Sequence, residues 1–109
     1  MQINPLCEDN TFKSLTNVTK TDVATGSTYF GENIFTVPST AKRVLVSAIA
    51  SGNVGGYFEI FPSSQALTVD LESTTTARLT WSGNNISLDY LNNSSGYARD
   101  VVLYAKYTE

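Results

Sequence analysis

The sequence contains no histidine, the side chain that most often serves as a general base in enzymes. Its absence excludes the Ser-His-Asp and Cys-His nucleophile systems, and also zinc and iron sites built on imidazole. Cys7 is the one cysteine, so neither an intrachain disulfide nor a cysteine-rich metal site can form. We therefore expect a protein that needs no cofactor or metal ion and that is not an enzyme.

Strong charge of one sign and long apolar runs are also missing. Ten carboxylates and seven cations give a net charge of −3. They are scattered along the chain, and the cations form no basic cluster. Nucleic-acid binding depends on Lys and Arg contacts with phosphates, so this balance disfavours it. No run approaches the ~18 apolar residues of a membrane span. The first residues lack the charged and apolar segments of a signal peptide, so we expect no secretion signal and no membrane insertion.

No stretch repeats apolar residues with the period of an α-helix over three turns. Short apolar runs are instead separated by Gly, Asn, Ser and Pro clusters about every ten residues, a spacing typical of β-sandwiches and barrels. We predict an all-β chain with about eight strands. It should form a single antiparallel β-sandwich without substantial helix, with jelly-roll and immunoglobulin-like Greek-key orders both open. Residues 1–10 should form an irregular arm before a single domain at 11–109.

Three of the predicted strands alternate apolar and polar residues, which indicates one face on the core and one in water. The residues assigned to these core faces are Leu67, Val69, Leu71, Ala77, Leu79, Trp81, Ile86, Leu88 and Tyr90. A glycine-containing hairpin loop is expected from Ser82 to Asn85, and Gly31 is expected to mark a bulge. The full set of predicted strands is 11–20, 28–37, 42–50, 57–61, 66–72, 75–81, 86–91 and 97–107.

Three other strands are apolar on both faces, although a sandwich of this length has only one core between its sheets. The second apolar face must be covered by the arm, by a loop or by another subunit. Exposed apolar patches of several hundred Å² usually mark interfaces, so a subunit is as good a candidate for this cover as the arm and loops. The residues predicted for such an oligomer interface are Val44, Leu45, Val46, Ile49, Val101, Leu103 and Tyr104.

Aromatic residues are the candidates for ligand binding, because their rings combine an apolar face with a polar handle and can stack on sugars. The candidates are Tyr57, Trp81, Tyr90 and Tyr97. Tyr97, beside an Asn-rich turn, should be the most exposed, whereas Trp81 is expected to pack in the core. Asp70 and Glu72 could serve as an acid–base pair or bind calcium. A solvated strand face gives the same alternation and is the favoured interpretation.

Two stretches resemble parts of known proteins. The segment from Phe35 to Ile49, with Val37-Pro38, a turn and Arg43-Val-Leu-Val46, resembles a hairpin of tailed-bacteriophage tail and fibre domains. The segment from Ile86 to Tyr107 is similar to the closing hairpin of phage receptor-binding and accessory β-sandwiches. Together these stretches cover about a third of the chain.

This resemblance implies a small protein of a phage tail, baseplate or capsid surface, usually a homotrimer, that contacts other virion proteins. Some members bind host saccharides. The leading hypothesis is thus a phage structural or accessory protein that acts through oligomeric assembly and surface binding, located in the virion or in host cytoplasm before assembly. The alternative is a stand-alone carbohydrate-binding module that recognises cell-surface saccharides with exposed aromatic residues.

Overall fold

Two antiparallel β-sheets pack face to face, as the computed structural model of residues 11–50, 52–62 and 67–109 shows. These residues contain no helix, so none that could cross a membrane is found among them. The all-β sandwich predicted from the sequence is confirmed, while the predicted arm at 1–10 lies outside the described residues. The strands are β1 Lys13–Ser14, β2 Val18–Val23, β3 Gly26–Thr36, β4 Arg43–Ala50, β5 Asn53–Val54, β6 Phe58–Ile60, β7 Leu67–Glu72, β8 Thr75–Ser82, β9 Asn85–Asn93 and β10 Arg99–Thr108.

The first sheet, called sheet A, has β10 and β4 at its centre. Strands β1 and β2 pair with the free side of β10, and β5 and β6 pair with the free side of β4. The second sheet, called sheet B, has the order β3–β9–β8–β7. Three consecutive strands, β7 to β9, form hairpins, and β3 lies beside β9, while β4 to β6, which separate β3 from β7 in the chain, belong to sheet A.

Most predicted strands are found with their ends moved by one or two residues. The exception is the predicted strand at 11–20, which is split into β1 and β2 and extends to Val23. Leu15, in the break, still packs against the core, and its backbone N–H donates to the carbonyl oxygen of Ala105 at 2.9 Å. The predicted hairpin loop joins β8 to β9. Its first turn residue, Gly83, has a φ of 60°, as a type II′ turn requires.

The core lies between the two sheets and is made by the inward faces of their central strands. In β4 and β10, every second side chain points inward, so that Val46 and Leu103 are fully buried while Leu45 and Tyr104 on the opposite face are only half-buried. Burial of this apolar surface is the main favourable term in folding. The largest fully buried apolar side chains are Val37, Val44, Val46, Ile60, Leu71, Leu79, Ile86, Leu88, Leu91, Val101 and Leu103.

Strand β9 contains a bulge at Asp89 that the alternation of its sequence does not predict. Leu88 and Tyr90 pair with consecutive residues of β8, so Asp89 is one residue more than the partner strand has. Beyond it the alternation is reversed, with Leu91 buried and Tyr90 only half-buried. The prediction that Tyr90 lies on the core face is therefore wrong, because one inserted residue moves the following side chains to the opposite faces.

Strand β3 contains a bulge at the same level, where Gly31 was expected to allow one. Tyr29 pairs with Tyr90 and Glu32 pairs with Leu88, so two residues of β3 lie opposite a single residue of β9. Gly31 has a φ of 61°, in the left-handed region that side chains disfavour. The predicted bulge at Gly31 is confirmed.

Lys20 connects the two sheets along one open edge of the sandwich. It lies on β2 of sheet A, and its ammonium group forms an ion pair with Glu32 on β3 of sheet B. The same Nζ atom lies 4.8 Å from the centroid of the Phe30 ring, also on β3. One side chain thus makes a charge contact and a cation–π contact across the edge.

Candidate binding surface

The outer face of sheet A carries apolar side chains side by side across three strands. Val102 of β10 pairs with Ile49 of β4, which in turn pairs with Val54 of β5. Val54 is 73% exposed, while Val102 and Ile49 are half-buried. Directly opposite residues on one sheet face lie about 5 Å apart, so these three side chains form a continuous apolar row.

Tyr104 and Leu45 extend this apolar row along the sheet. Tyr104 pairs with Ser47, and Leu45 pairs with Lys106. Ser47, between Leu45 and Ile49, is small and buried, and its hydroxyl donates to the carbonyl oxygen of Gly55 at 3.0 Å. Because Ser47 is uncharged, it does not interrupt the apolar face. We call the apolar area the outer patch and define it as Leu45, Ile49, Val54, Val102 and Tyr104.

A cluster of cations and aromatic rings borders the outer patch. The Nζ atom of Lys106 lies 5.2 Å from the ring centroid of Phe12 and 4.3 Å from that of Tyr57. The guanidinium carbon of Arg43 lies 5.5 Å from the Phe12 centroid, and its Nη2 donates to Glu59 Oε1 at 3.0 Å. An apolar centre bordered by aromatic and charged residues is the usual anatomy of a protein interface.

The residues predicted for an oligomer interface fall into two groups. Leu45, Ile49 and Tyr104 lie on the outer face of sheet A, where a partner can reach them. The other four residues are fully buried in the core, and their assignment to an interface is therefore corrected. Because β4 and β10 are apolar on both faces, their sequences do not show which face points inward. The four buried residues are Val44, Val46, Val101 and Leu103.

The four aromatic residues predicted to bind a ligand do not form one platform. Trp81 is 4% exposed in the core, and its Nε1 donates to the Gly83 carbonyl oxygen at 3.0 Å, so no ligand can stack on it. Tyr57 belongs to the cation–aromatic cluster on sheet A, and Tyr90 lies on the outer face of sheet B. Tyr97 is 65% exposed at the turn after β9, with the Arg99 guanidinium carbon 5.3 Å from its ring centroid.

The sequence interpretation assigned no binding role to Val54, Val102 or Tyr29, which lie on the outer faces of the sheets. Val54 lies in what the sequence shows as a glycine-rich loop, and its pairing with Ile49 brings it to the outer patch. Tyr29 lies in a strand whose polar residues hide the aromatic pair that it forms with Tyr90. Val54 is reached through a short hairpin that its glycine-rich sequence does not indicate. Tyr29 and Tyr90 are distant in the sequence, so no local pattern could have revealed their contact.

The described residues enclose no pocket, and they contain no group of three or more acidic, cysteine or histidine side chains that could hold a metal ion. The Asp70 carboxylate accepts a hydrogen bond from the Thr76 hydroxyl at 2.9 Å on a solvated strand face. Comparisons with family models, with curated proteins and with solved structures find no match for this chain. What the protein does must therefore be inferred from its own surface chemistry.

Proposed function

We propose that this protein is a non-catalytic assembly module of a phage particle that forms a homo-oligomer through the outer patch of sheet A. The observation that carries the proposal is the row of Val102, Ile49 and Val54, three β-branched apolar side chains on a sheet face that points away from the core. Association that buries such a row removes apolar surface from water, which is the main driving force of most protein–protein contacts.

The shape of this face suits a protein partner. Small molecules bind mainly in concave sites, whereas the outer patch is the face of a sheet. The neighbouring cluster of Phe12, Tyr57 and Lys106 supplies aromatic area together with a cation. Tyr and Arg are enriched at protein interfaces, and the outer patch contains Tyr104 while its border contains Arg43. The combination favours a broad contact with another folded surface.

The phage setting is supported by the resemblance of two segments of the sequence to phage tail and accessory sandwiches. Those segments, 35–49 and 86–107, contain most of β4 and β10, the two strands that carry most of the outer patch. The resemblance also favours a trimer, located in the virion, with other virion proteins as further partners.

A charge placed in the outer patch tests this proposal. Ile49→Glu should weaken self-association at least tenfold, measured by sedimentation velocity across a dilution series, because an unpaired carboxylate would be buried at the contact. The matched control is Thr68→Glu, an identical charge change on an exposed side chain of sheet B. The proposal fails if Ile49→Glu keeps its folded circular dichroism spectrum and has the same mass distribution as Thr68→Glu.

A further inference from the structure

The outer face of sheet B carries a row of aromatic and cationic side chains. Tyr29 of β3 pairs with Tyr90 of β9, which pairs with Arg78 of β8. The two tyrosine rings have centroids 5.4 Å apart and an interplanar angle of 64°, an edge-to-face arrangement that aromatic pairs prefer. Tyr29 is 76% exposed, so most of its ring surface is open to solvent.

Two of the register irregularities of sheet B lie at this row. The extra residue Asp89 in β9 turns Tyr90 to the outer face, and the bulge at Gly31 in β3 follows directly after Tyr29. Regular alternation would point Tyr90 into the core, where its ring would not be available to a ligand. Bulges commonly re-aim a side chain next to a functional site. The bulge at Asp89 therefore places the Tyr90 ring on the outer face beside that of Tyr29.

Polar groups with two hydrogen-bonding atoms lie next to the rings. The Asp89 carboxylate accepts from the Thr80 hydroxyl at 3.0 Å, and its Oδ2 lies 4.0 Å from Nε of Arg78. On the other side lies Asn92, two residues after Tyr90, and its Nδ2 donates to the Ser27 hydroxyl at 3.0 Å. A carboxylate, a guanidinium and an amide thus surround the tyrosine pair, and each has more hydrogen-bonding capacity than these contacts use.

We propose that the outer face of sheet B binds a saccharide across Tyr29 and Tyr90. A sugar ring has an apolar C–H face that matches the apolar face of an aromatic ring. The hydroxyl groups of a sugar both donate and accept hydrogen bonds. They can therefore donate to the Asp89 carboxylate, accept from the Arg78 guanidinium, and do either with the Asn92 amide. Because the described residues enclose no pocket, the ligand is an extended glycan chain lying along the sheet face and not a single small molecule held in a cavity. This face differs from the outer patch, which lies on the opposite sheet and is apolar.

Titration with soluble oligosaccharides, followed by amide NMR spectra of the full chain, tests this site. The probes are maltohexaose, cellohexaose, laminarihexaose and mannohexaose. At least one should shift amide signals in residues 27–33, 76–80 and 87–92, with a dissociation constant on the order of 1 mM. Tyr29→Ala should weaken that binding at least tenfold, because the open ring surface is lost. Tyr29→Phe should bind nearly as well, because stacking is kept.

The matched control is Tyr97→Ala, which removes another exposed tyrosine at the turn after β9 and should leave the affinity unchanged. The proposal is overturned if none of the four probes shifts these signals, or if Tyr97→Ala and Tyr29→Ala weaken binding equally. It is also overturned if Tyr29→Ala leaves saccharide binding intact and changes only the oligomeric mass. Ile49→Glu should retain saccharide binding, so failure of the assembly proposal would leave this site standing.

Discussion

Asn93 is a buried polar residue whose amide is fully used in hydrogen bonds. Its Nδ2 donates to the carbonyl oxygens of Val23 at 3.0 Å and Tyr97 at 2.9 Å. Its Oδ1 accepts from the backbone N–H of Ser95 at 2.9 Å and from the hydroxyl of Ser95 at 2.6 Å. One side chain therefore fixes the turn between β9 and β10 and ties it to the end of β2. The sequence indicates a turn here but not this buried hub, because Val23 is distant in the chain.

Replacing Asn93 should destabilise the fold strongly. Asn93→Ala is expected to lower the free energy of unfolding by about 2–5 kcal/mol, because it leaves buried backbone groups without partners. The control is Asn92→Ala, whose side chain makes a surface bond to Ser27 and should cost less than about 1 kcal/mol. Urea denaturation of both variants measures the difference. Equal losses for the two asparagines would contradict the role assigned to Asn93.

Glu109 forms a charged contact that joins the end of the described chain to its beginning. Its carboxylate accepts a hydrogen bond from Lys13 Nζ at 2.6 Å and another from the Thr40 hydroxyl. The bond from Lys13 is the largest cause that lowers the pKa of Glu109 from 4.5, followed by the bond from Thr40. The same contact raises the pKa of Lys13 from 10.5.

The sign of the pH dependence follows from these two directions. Glu109 has a lowered pKa when folded, so its contribution to stability is complete above pH 4.5 and is lost as the pH falls through the lowered value. Lys13 loses its contribution as the pH rises above 10.5 through its raised value. Both groups are exposed, so added salt should weaken the contact.

An NMR titration of the Glu109 carboxyl carbon tests this contact. In Lys13→Met the pKa of Glu109 should move upward toward 4.5, because the largest cause of the shift is removed. Lys42→Met is the control, since the Lys42 side chain is not among the causes of the shift. An unchanged Glu109 titration in Lys13→Met would show that the ion pair does not form in solution.

At the scale of strands, the alternation of apolar residues was enough to predict the sandwich and most strand positions. It was not enough to orient β4 and β10, since Val46 and Leu45 are both apolar and only packing between the sheets decides which is buried. It also missed the bulge in β9, because Ile86, Leu88 and Tyr90 continue the regular alternation. The candidate surfaces depend on these two details, which explains why they were only partly predicted.

The bulge in β3 should require glycine at position 31 because the backbone there has a positive φ. A Cβ atom added there would meet no atom within 4 Å beyond the adjacent residues of the chain, so the cost of a side chain comes from the φ of 61°. Gly31→Ala should lower the free energy of unfolding by about 1–2 kcal/mol, and Gly31→Asn by less, because Asn tolerates the left-handed region.

Gly56→Ala is the control for this strand prediction. Gly56 also has open space around a Cβ atom but does not have a positive φ, so the change should be neutral or slightly stabilising. Thermal unfolding of the three variants gives the comparison. The explanation is wrong if Gly31→Ala is as stable as Gly56→Ala.

At the scale of the whole molecule, the two sheets present different surfaces. Sheet A shows an apolar outer patch bordered by Arg43 and Lys106, which suits contact with another folded protein. Sheet B shows a polar face with the Tyr29–Tyr90 pair, which suits a saccharide. Because the two sheets pack through a shared core, their outer faces point in opposite directions. In the proposed assembly, one side of the molecule would join copies of the chain while the other remains open.

The central claim, self-association through the outer patch, is tested most directly by the solution mass of the unmodified chain. Light scattering after size exclusion should be recorded across a dilution series, with reductant present so that Cys7 cannot cross-link subunits. We predict a constant mass of three times the 11.8 kDa chain. A mass of 11.8 kDa at every concentration would contradict the claim and would mean that the outer patch does not join copies of this chain.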